Sequence, residues 1–128
     1  MKIGRTNIRF TALAAIAALI TIPAMASDTN VVGVEVSEQA GAFRFSVTLR
    51  HKDEGWDHYA NVWEIIGPDG RVIDRRVLAH PHDTEQPFTR SLGHVEIAPG
   101  IKQVTIRGGD NVSGIGGKTM LVKIPGRN

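Results

Sequence analysis

Apolar and polar residues alternate along most of the sequence after residue 30, with glycine- or proline-containing turns between the runs. In FRFSVTL (Phe43–Leu49), Phe43, Phe45, Val47 and Leu49 share one face and polar side chains share the other. A period of two is typical of a strand with one buried face. The pattern predicts seven strands and no helix: Val31–Val36, Phe43–Leu49, His58–Ile66, Arg71–Leu78, Phe88–Ile97 with a kink at Gly93, Ile101–Gly108 and Lys118–Ile124.

Seven short strands separated by regular turns are typical of two packed antiparallel sheets. We predict an all-β, immunoglobulin-like antiparallel β-sandwich of about seven strands, with a small barrel as the alternative. Trp63 and Ile65 are predicted to point into the core together with Tyr59. Glu64 and Arg90 are predicted to form a cross-strand or end-on pair that fixes loop geometry.

The first 26 residues have the composition of a signal peptide. A positively charged start is followed by the apolar run Phe10–Ile22 and then by the small-x-small sequence Ala24–Ala26. The run is too short to cross a bilayer, and Ser27, not a cysteine, would follow the cleavage. We therefore predict two parts, a cleaved signal peptide at 1–26 and one sandwich domain at 27–128. The mature protein is expected to be periplasmic or secreted, without a membrane anchor.

Removal of this leader changes the charge of the protein. Three of the 15 basic residues lie in the leader, so 12 remain against 13 acidic residues, a formal charge of −1. With no basic run left, we expect no nucleic-acid partner. The sequence has no cysteine, so the domain must be stabilised by core burial without disulfides.

The order of the strands predicts where a functional site lies. If consecutive strands run up and down, every second connection lies at the same end of the sandwich. One end then collects short turns, and the other collects three longer polar connections, which is where sandwich domains usually bind their ligands. These connections are His51–Asp57, Ala79–Pro87 and Gly109–Gly117.

Four of the five histidines lie on or beside these connections. His51 and His58 flank the first connection, and His80 and His82 are two residues apart in the second, a spacing that puts both rings on one side of an extended chain. Imidazoles without thiolates suit Cu(II) or Zn(II), so the four histidines are predicted metal ligands. The alternative is that they are solvated loop residues or tie the loops together.

The same connections carry residues that could contact an exported protein or peptide partner. Trp56 has few strand neighbours and is either an exposed anchor for a partner or a cap on the core. Asp53, Glu85 and Asp110 are candidate partner-binding carboxylates, and they could also complete or orient a metal shell. Asp110 could in addition bond backbone amides of the third connection.

Catalytic motifs are absent from the sequence, and we predict that the protein is not an enzyme. No serine lies in a G-x-S-x-G context, and no cysteine is present. The glycines of Gly108–Lys118 lack the spacing of a phosphate-binding loop.

The strings DEGWDHY (Asp53–Tyr59) and HPHDTEQPFTRSL (His80–Leu92) resemble a family of small, uncharacterised exported bacterial β-domains, in which the second string has the form HPHxxEQPFTRSL. The resemblance covers about His51 to Lys118 and implies a shared site without naming its ligand. His51 and His58 also resemble the histidines of iron-binding sandwich domains of the superoxide reductase type. The cysteine ligand of that type is missing, so its reaction is not implied.

Overall fold

The computed structural model describes Gly4 and residues 28–128. The predicted signal peptide, residues 1–26, lies outside the described residues apart from Gly4. Within the described part, every regular element is a strand, and no helix is long and apolar enough to cross a membrane. The strands are β1 Asn30–Gln39, β2 Ala42–Arg50, β3 Ala60–Ile66, β4 Val72–Val77, β5 Phe88–Val95, β6 Gln103–Asp110, β7 Gly114–Ile115 and β8 Met120–Lys123.

The strands form two antiparallel sheets, which confirms the predicted all-β, immunoglobulin-like sandwich. One sheet has the order β1-β2-β5 and the other β4-β3-β6-β7, with β8 also paired to β6. Because every ladder is antiparallel, each strand can bury one face and expose the other. The described residues form eight strands, one more than predicted.

The core lies between the two sheets. Phe45, Val47 and Leu49 of β2 are fully buried, as the alternation predicted, and they pack in one cluster with Trp63 and Ile65 of β3. Tyr59 was predicted to share the inward face of β3. The strand begins only at Ala60, the residue after Tyr59, and Tyr59 is half-buried.

The predicted pairing of Glu64 with Arg90 is wrong. Glu64 lies opposite Arg75 of β4 and Arg107 of β6 in the ladders, and its carboxylate oxygens are 3.1 and 2.9 Å from their guanidinium nitrogens. Arg90 instead pairs with Glu85 at 3.2 Å. The cross-strand register decides this pairing, because side chains directly opposite one another on one face are the closest neighbours.

The predicted kink in the fifth strand lies one residue after Gly93. The β2–β5 register shifts between Phe43 and Phe45, and the backbone of His94 has a φ of 56°. A bulge with one residue in the left-handed region bends a strand in this way. His94 is exposed and lies away from the three long connections.

Candidate metal centre

The three long connections meet at one end of the sandwich, as the up-and-down strand order predicted. The backbone N–H of Gly55, in the first connection, donates to the carboxylate of Asp83 in the second, at 3.0 Å. The side-chain amide of Asn111, in the third, donates to the carbonyl of Trp56 at 3.1 Å. The hydrogen bonds therefore tie the first connection to both of the others.

The first connection folds back so that its two histidines face each other. The N–H of Asp53 donates to the carbonyl of His51 at 2.9 Å, and the N–H of Glu54 donates to the carbonyl of His58 at 2.7 Å. Gly55 has a φ of 67°, which a glycine adopts without steric cost. As a result, the rings of His51 and His58 are 4.9 Å apart between centroids, in an edge-to-face arrangement.

Asp110 supplies a carboxylate from the other sheet. Its Oδ1 accepts the backbone N–H groups of Val112 and Ser113, at 2.9 and 2.6 Å, which confirms the predicted loop-capping role. Its Oδ2 lies 3.2 Å from His51 Nε2 and 3.3 Å from His58 Nε2. The capping bonds thus fix one oxygen of the carboxylate, and the other is aimed at both imidazoles.

His51 has a carboxylate at each ring nitrogen. Its Nδ1 is 2.6 Å from Asp53 Oδ1, and its Nε2 is 3.2 Å from Asp110 Oδ2. A neutral imidazole carries only one N–H, and the shorter contact assigns that hydrogen to Nδ1. The Nε2 lone pair then faces the lone pairs of Asp110 Oδ2. Attraction between these two atoms requires a cation between them, which is either a second proton or a metal ion.

The positions of the three donor atoms fit a metal ion. His51, His58 and Asp110 each offer one ligand atom, and these atoms all lie within 4.8 Å of one another. Bonds of 2.0–2.1 Å in a tetrahedral shell place neighbouring ligand atoms about 3.3 Å apart. The two observed nitrogen-to-Oδ2 distances, 3.2 and 3.3 Å, match that spacing. His58 Nε2 is buried and has no hydrogen-bond partner among the described residues.

Asp53 orients the His51 ring through Nδ1, the ring nitrogen that does not face Asp110. Besides His51 Nδ1, its Oδ1 accepts the N–H of Ala60 at 3.0 Å, and its Oδ2 accepts the N–H of His82 at 2.7 Å. The side chain of Asp53 is fully buried. A carboxylate that holds the far nitrogen of a ligating histidine is the usual outer partner in metal sites, where it fixes the tautomer and the ring orientation.

His80 and His82 form a second pair of rings, which meets Asp53 through His82. Their rings are 4.6 Å apart, and the His82 ring stacks on Phe88 at 4.0 Å. His82 Nδ1 is 4.0 Å from Asp53 Oδ2, and neither ring nitrogen has a hydrogen-bond partner among the described residues. The four predicted histidines are therefore divided into two pairs, and only His51 and His58 lie in the three-residue group with Asp110.

The surroundings of His82 favour its neutral form. Burial lowers the pKa of His82 below its ordinary value, and the positive charges of Arg90 and His80 act in the same direction. The carboxylates of Asp53 and Glu85 oppose this shift. The pKa of Glu85 is itself lowered, chiefly by the hydrogen bond from Arg90.

The candidate partner-binding residues differ in exposure. Trp56 is 66% exposed and touches Tyr59 edge-to-face, so it does not cap the core. Glu85 is exposed as well. The side chains of Asp53 and Asp110 are buried, and both contact the ring of His51.

Sequence reasoning named Asp110 as one of three carboxylates that could complete or orient a metal shell, and it placed this residue in a loop. The structure extends β6 to Asp110, where the residue pairs with Ala60 of β3 and Gly114 of β7. The sequence signal for this position was Asp-Asn-x-Ser directly after an alternating run, because an aspartate placed there accepts the backbone N–H groups that follow it. Such a cap closes the turn to β7 and holds the carboxylate at a fixed angle.

Comparisons with known proteins give limited information on the chain. No protein-family model matches it. A protein of Halomicrobium mukohataei named "Putative lipoprotein" is 43% identical over 96 residues, which is 74% of this chain and 47% of the relative. The chain thus spans about half the length of this curated relative. The crystal structure of an oxidized superoxide reductase resembles the chain with a TM-score of 0.48 and 16% identity, covering 77% of this chain and 90% of that one. A likeness of this size carries no inference about chemistry.

Proposed function

We propose that the protein is an exported β-sandwich binding module that holds one divalent metal ion at His51, His58 and Asp110. The observation that carries the proposal is the contact between His51 Nε2 and Asp110 Oδ2. With the imidazole hydrogen on the Asp53 side, attraction between these two atoms needs a cation, and a bound metal ion supplies it where a second proton does not. His58 Nε2, which is buried and has no hydrogen-bond partner among the described residues, supplies the third donor.

Copper and zinc are compatible with the donor set. Two imidazoles and one carboxylate are ligands that both Cu(II) and Zn(II) accept, and the absence of thiolates disfavours Cu(I). Calcium and magnesium prefer shells made of oxygen atoms. Among first-row divalent ions Cu(II) usually binds a given nitrogen–oxygen site most tightly, so we expect a higher affinity for Cu(II) than for Zn(II).

A periplasmic or secreted location is part of the proposal. It is supported by the leader-like composition of residues 1–26 and by the lipoprotein name of the relative, since lipoproteins are exported. We further propose that the resemblance to small exported bacterial domains reflects this site. The string Asp53–Tyr59 contributes Asp53 and His58, and the string His80–Leu92 provides the amide of His82 that fixes Asp53.

Isothermal titration calorimetry of the metal-stripped protein with Cu(II) and Zn(II) tests the proposal. We expect one ion per protein with a dissociation constant below about 1 mM. The double variant His51→Ala/His58→Ala should lose this binding while its circular dichroism spectrum stays that of a β-protein. The matched control is His80→Gln, an exposed histidine outside the group, which should bind as the wild type does. Absence of binding by the wild type, or unchanged binding by the double variant, would remove the proposal.

A second candidate function is a protein or peptide interaction domain without metal. The exposure of Trp56 favours it, because large exposed aromatic residues often dominate binding surfaces. In this case Trp56→Ala should abolish co-purification of a partner, and chelating agents should make no difference. The metal-binding proposal predicts the opposite: chelating agents should abolish ligand binding, and Trp56→Ala should leave it unchanged.

A further inference from the structure

We infer that the metal ion keeps a coordination position open to a small anion that enters from solvent. This inference rests on the proposed function, since it concerns the same ion. Its first basis is the number of ligands. Among the described residues the group contains three ligand atoms, whereas Zn(II) takes at least four and Cu(II) commonly more. Sites with three protein ligands are the ones that bind an exchangeable water or substrate.

The second basis is the access to the three donor atoms. A pocket with a volume of about 300 Å³ is lined by all three ligand residues and also by Asp28, Lys52, Glu54 and Ser113. The side chains of His51 and Asp110 are at most 2% exposed, whereas that of His58 is 35% exposed. The ligands therefore form the floor of the pocket, and an exogenous group reaches the ion past the His58 ring.

The third basis is charge. A divalent ion bound to one carboxylate and two neutral imidazoles leaves a formal charge of +1 on the coordination shell. One bound monoanion neutralises this charge, whereas a dianion overcompensates it. Lys52 lines the same pocket and its positive charge also favours an anion, whereas the carboxylates of Asp28 and Glu54 in that lining oppose one.

Two acidic residues of the pocket lining, Asp28 and Glu54, could compete for the open position, and both are exposed. Glu54 lines the pocket, and its Oε1 lies 3.9 Å from Lys52 Nζ, with both side chains exposed. The Glu54 carboxylate thus lies beside Lys52 and in contact with solvent. The proposal accordingly places Glu54 at the rim and not on the ion.

Titration of the Cu(II)-loaded protein with azide, followed by absorption spectroscopy, tests the inference. We expect a new azide-to-copper charge-transfer band that saturates while the copper stays bound. Lys52→Gln should weaken azide binding by roughly two- to fivefold, the range of a single exposed charge interaction, and Glu54→Gln should strengthen it or leave it unchanged. The control His80→Gln should titrate as the wild type does.

The results separate this inference from the function on which it rests. A copper-loaded protein whose spectrum does not respond to saturating azide overturns the open position and leaves metal binding intact. A band that appears in Glu54→Gln but not in the wild type shows that Glu54 is the fourth ligand, and it likewise overturns the inference. Failure to load copper at all removes both proposals together.

Discussion

Replacing Asp53 by asparagine should weaken both the fold and the metal centre, because this one carboxylate accepts three buried hydrogen bonds. The donors are His51 Nδ1 at 2.6 Å, the N–H of Ala60 at 3.0 Å and the N–H of His82 at 2.7 Å. Asparagine keeps one acceptor oxygen and turns an NH₂ group toward at least one of these donors. A hydrogen bond to a charged group contributes about 1.5–3 kcal/mol, so Asp53→Asn should lower the free energy of unfolding by about 2–3 kcal/mol.

The same change should reduce metal affinity without removing a ligand. Loss of an outer partner of a ligating histidine typically lowers affinity by about 10–100-fold, because the ring is no longer held in one tautomer and orientation. Urea unfolding and calorimetric titration with Zn(II) measure the two effects separately. Asp57→Asn, an exposed carboxylate in the same connection, is the matched control and should change neither. An Asp53→Asn protein with wild-type unfolding energy and wild-type affinity would refute this role of Asp53.

Three further predictions concern the surroundings of the site. The lowered pKa of His82 means that folding favours its neutral form, so this contribution to stability is fully present above the ordinary pKa of 6.5. It declines as the pH falls from there through the folded-state pKa. The unfolding free energy of His82→Leu, measured at pH values on both sides, should show a smaller decline than that of the wild type, and an identical decline would contradict the assignment. Gly117 has a φ of 95°, and a Cβ there would press against the backbone of Thr29. Gly117→Ala should therefore lower the unfolding free energy, measured by urea titration, by about 3 kcal/mol, and a change below about 1 kcal/mol would argue against this contact. Trp56 is 66% exposed, so thermal denaturation of Trp56→Ala should give a stability within about 0.5 kcal/mol of wild type, and a larger loss would mean that the residue packs on the core.

The fold could be predicted from the sequence because one periodicity recurs throughout the chain. Phe43 to Leu49 alternates without interruption, and all four predicted inward residues are buried. A period of two determines which face is buried whatever the partner strand is. The ends of strands are less determined, because they depend on the turn that follows. This is why β1 continues to Gln39 and why β7 was missed.

The location of the site could be predicted, but its composition could not. Strand reversal alone brings the three long connections to one end, and the hydrogen bonds from Gly55 to Asp83 and from Asn111 to Trp56 confirm that they meet. Which side chains converge depends on the register between β3 and β6, where Ala60 lies opposite Asp110. Register is a property of pairs of strands, and the local pattern of one strand does not contain it. Sequence spacing therefore grouped four histidines that the structure divides into two pairs.

The most direct test of the metal centre is an anomalous difference map from crystals grown with Zn(II), measured at the zinc absorption edge. The account predicts one strong peak about 2.0–2.2 Å from His51 Nε2, His58 Nε2 and Asp110 Oδ2, with His51 Nδ1 still bonded to Asp53. A map without a peak at these three atoms, or with its only peak beside His80, would contradict it.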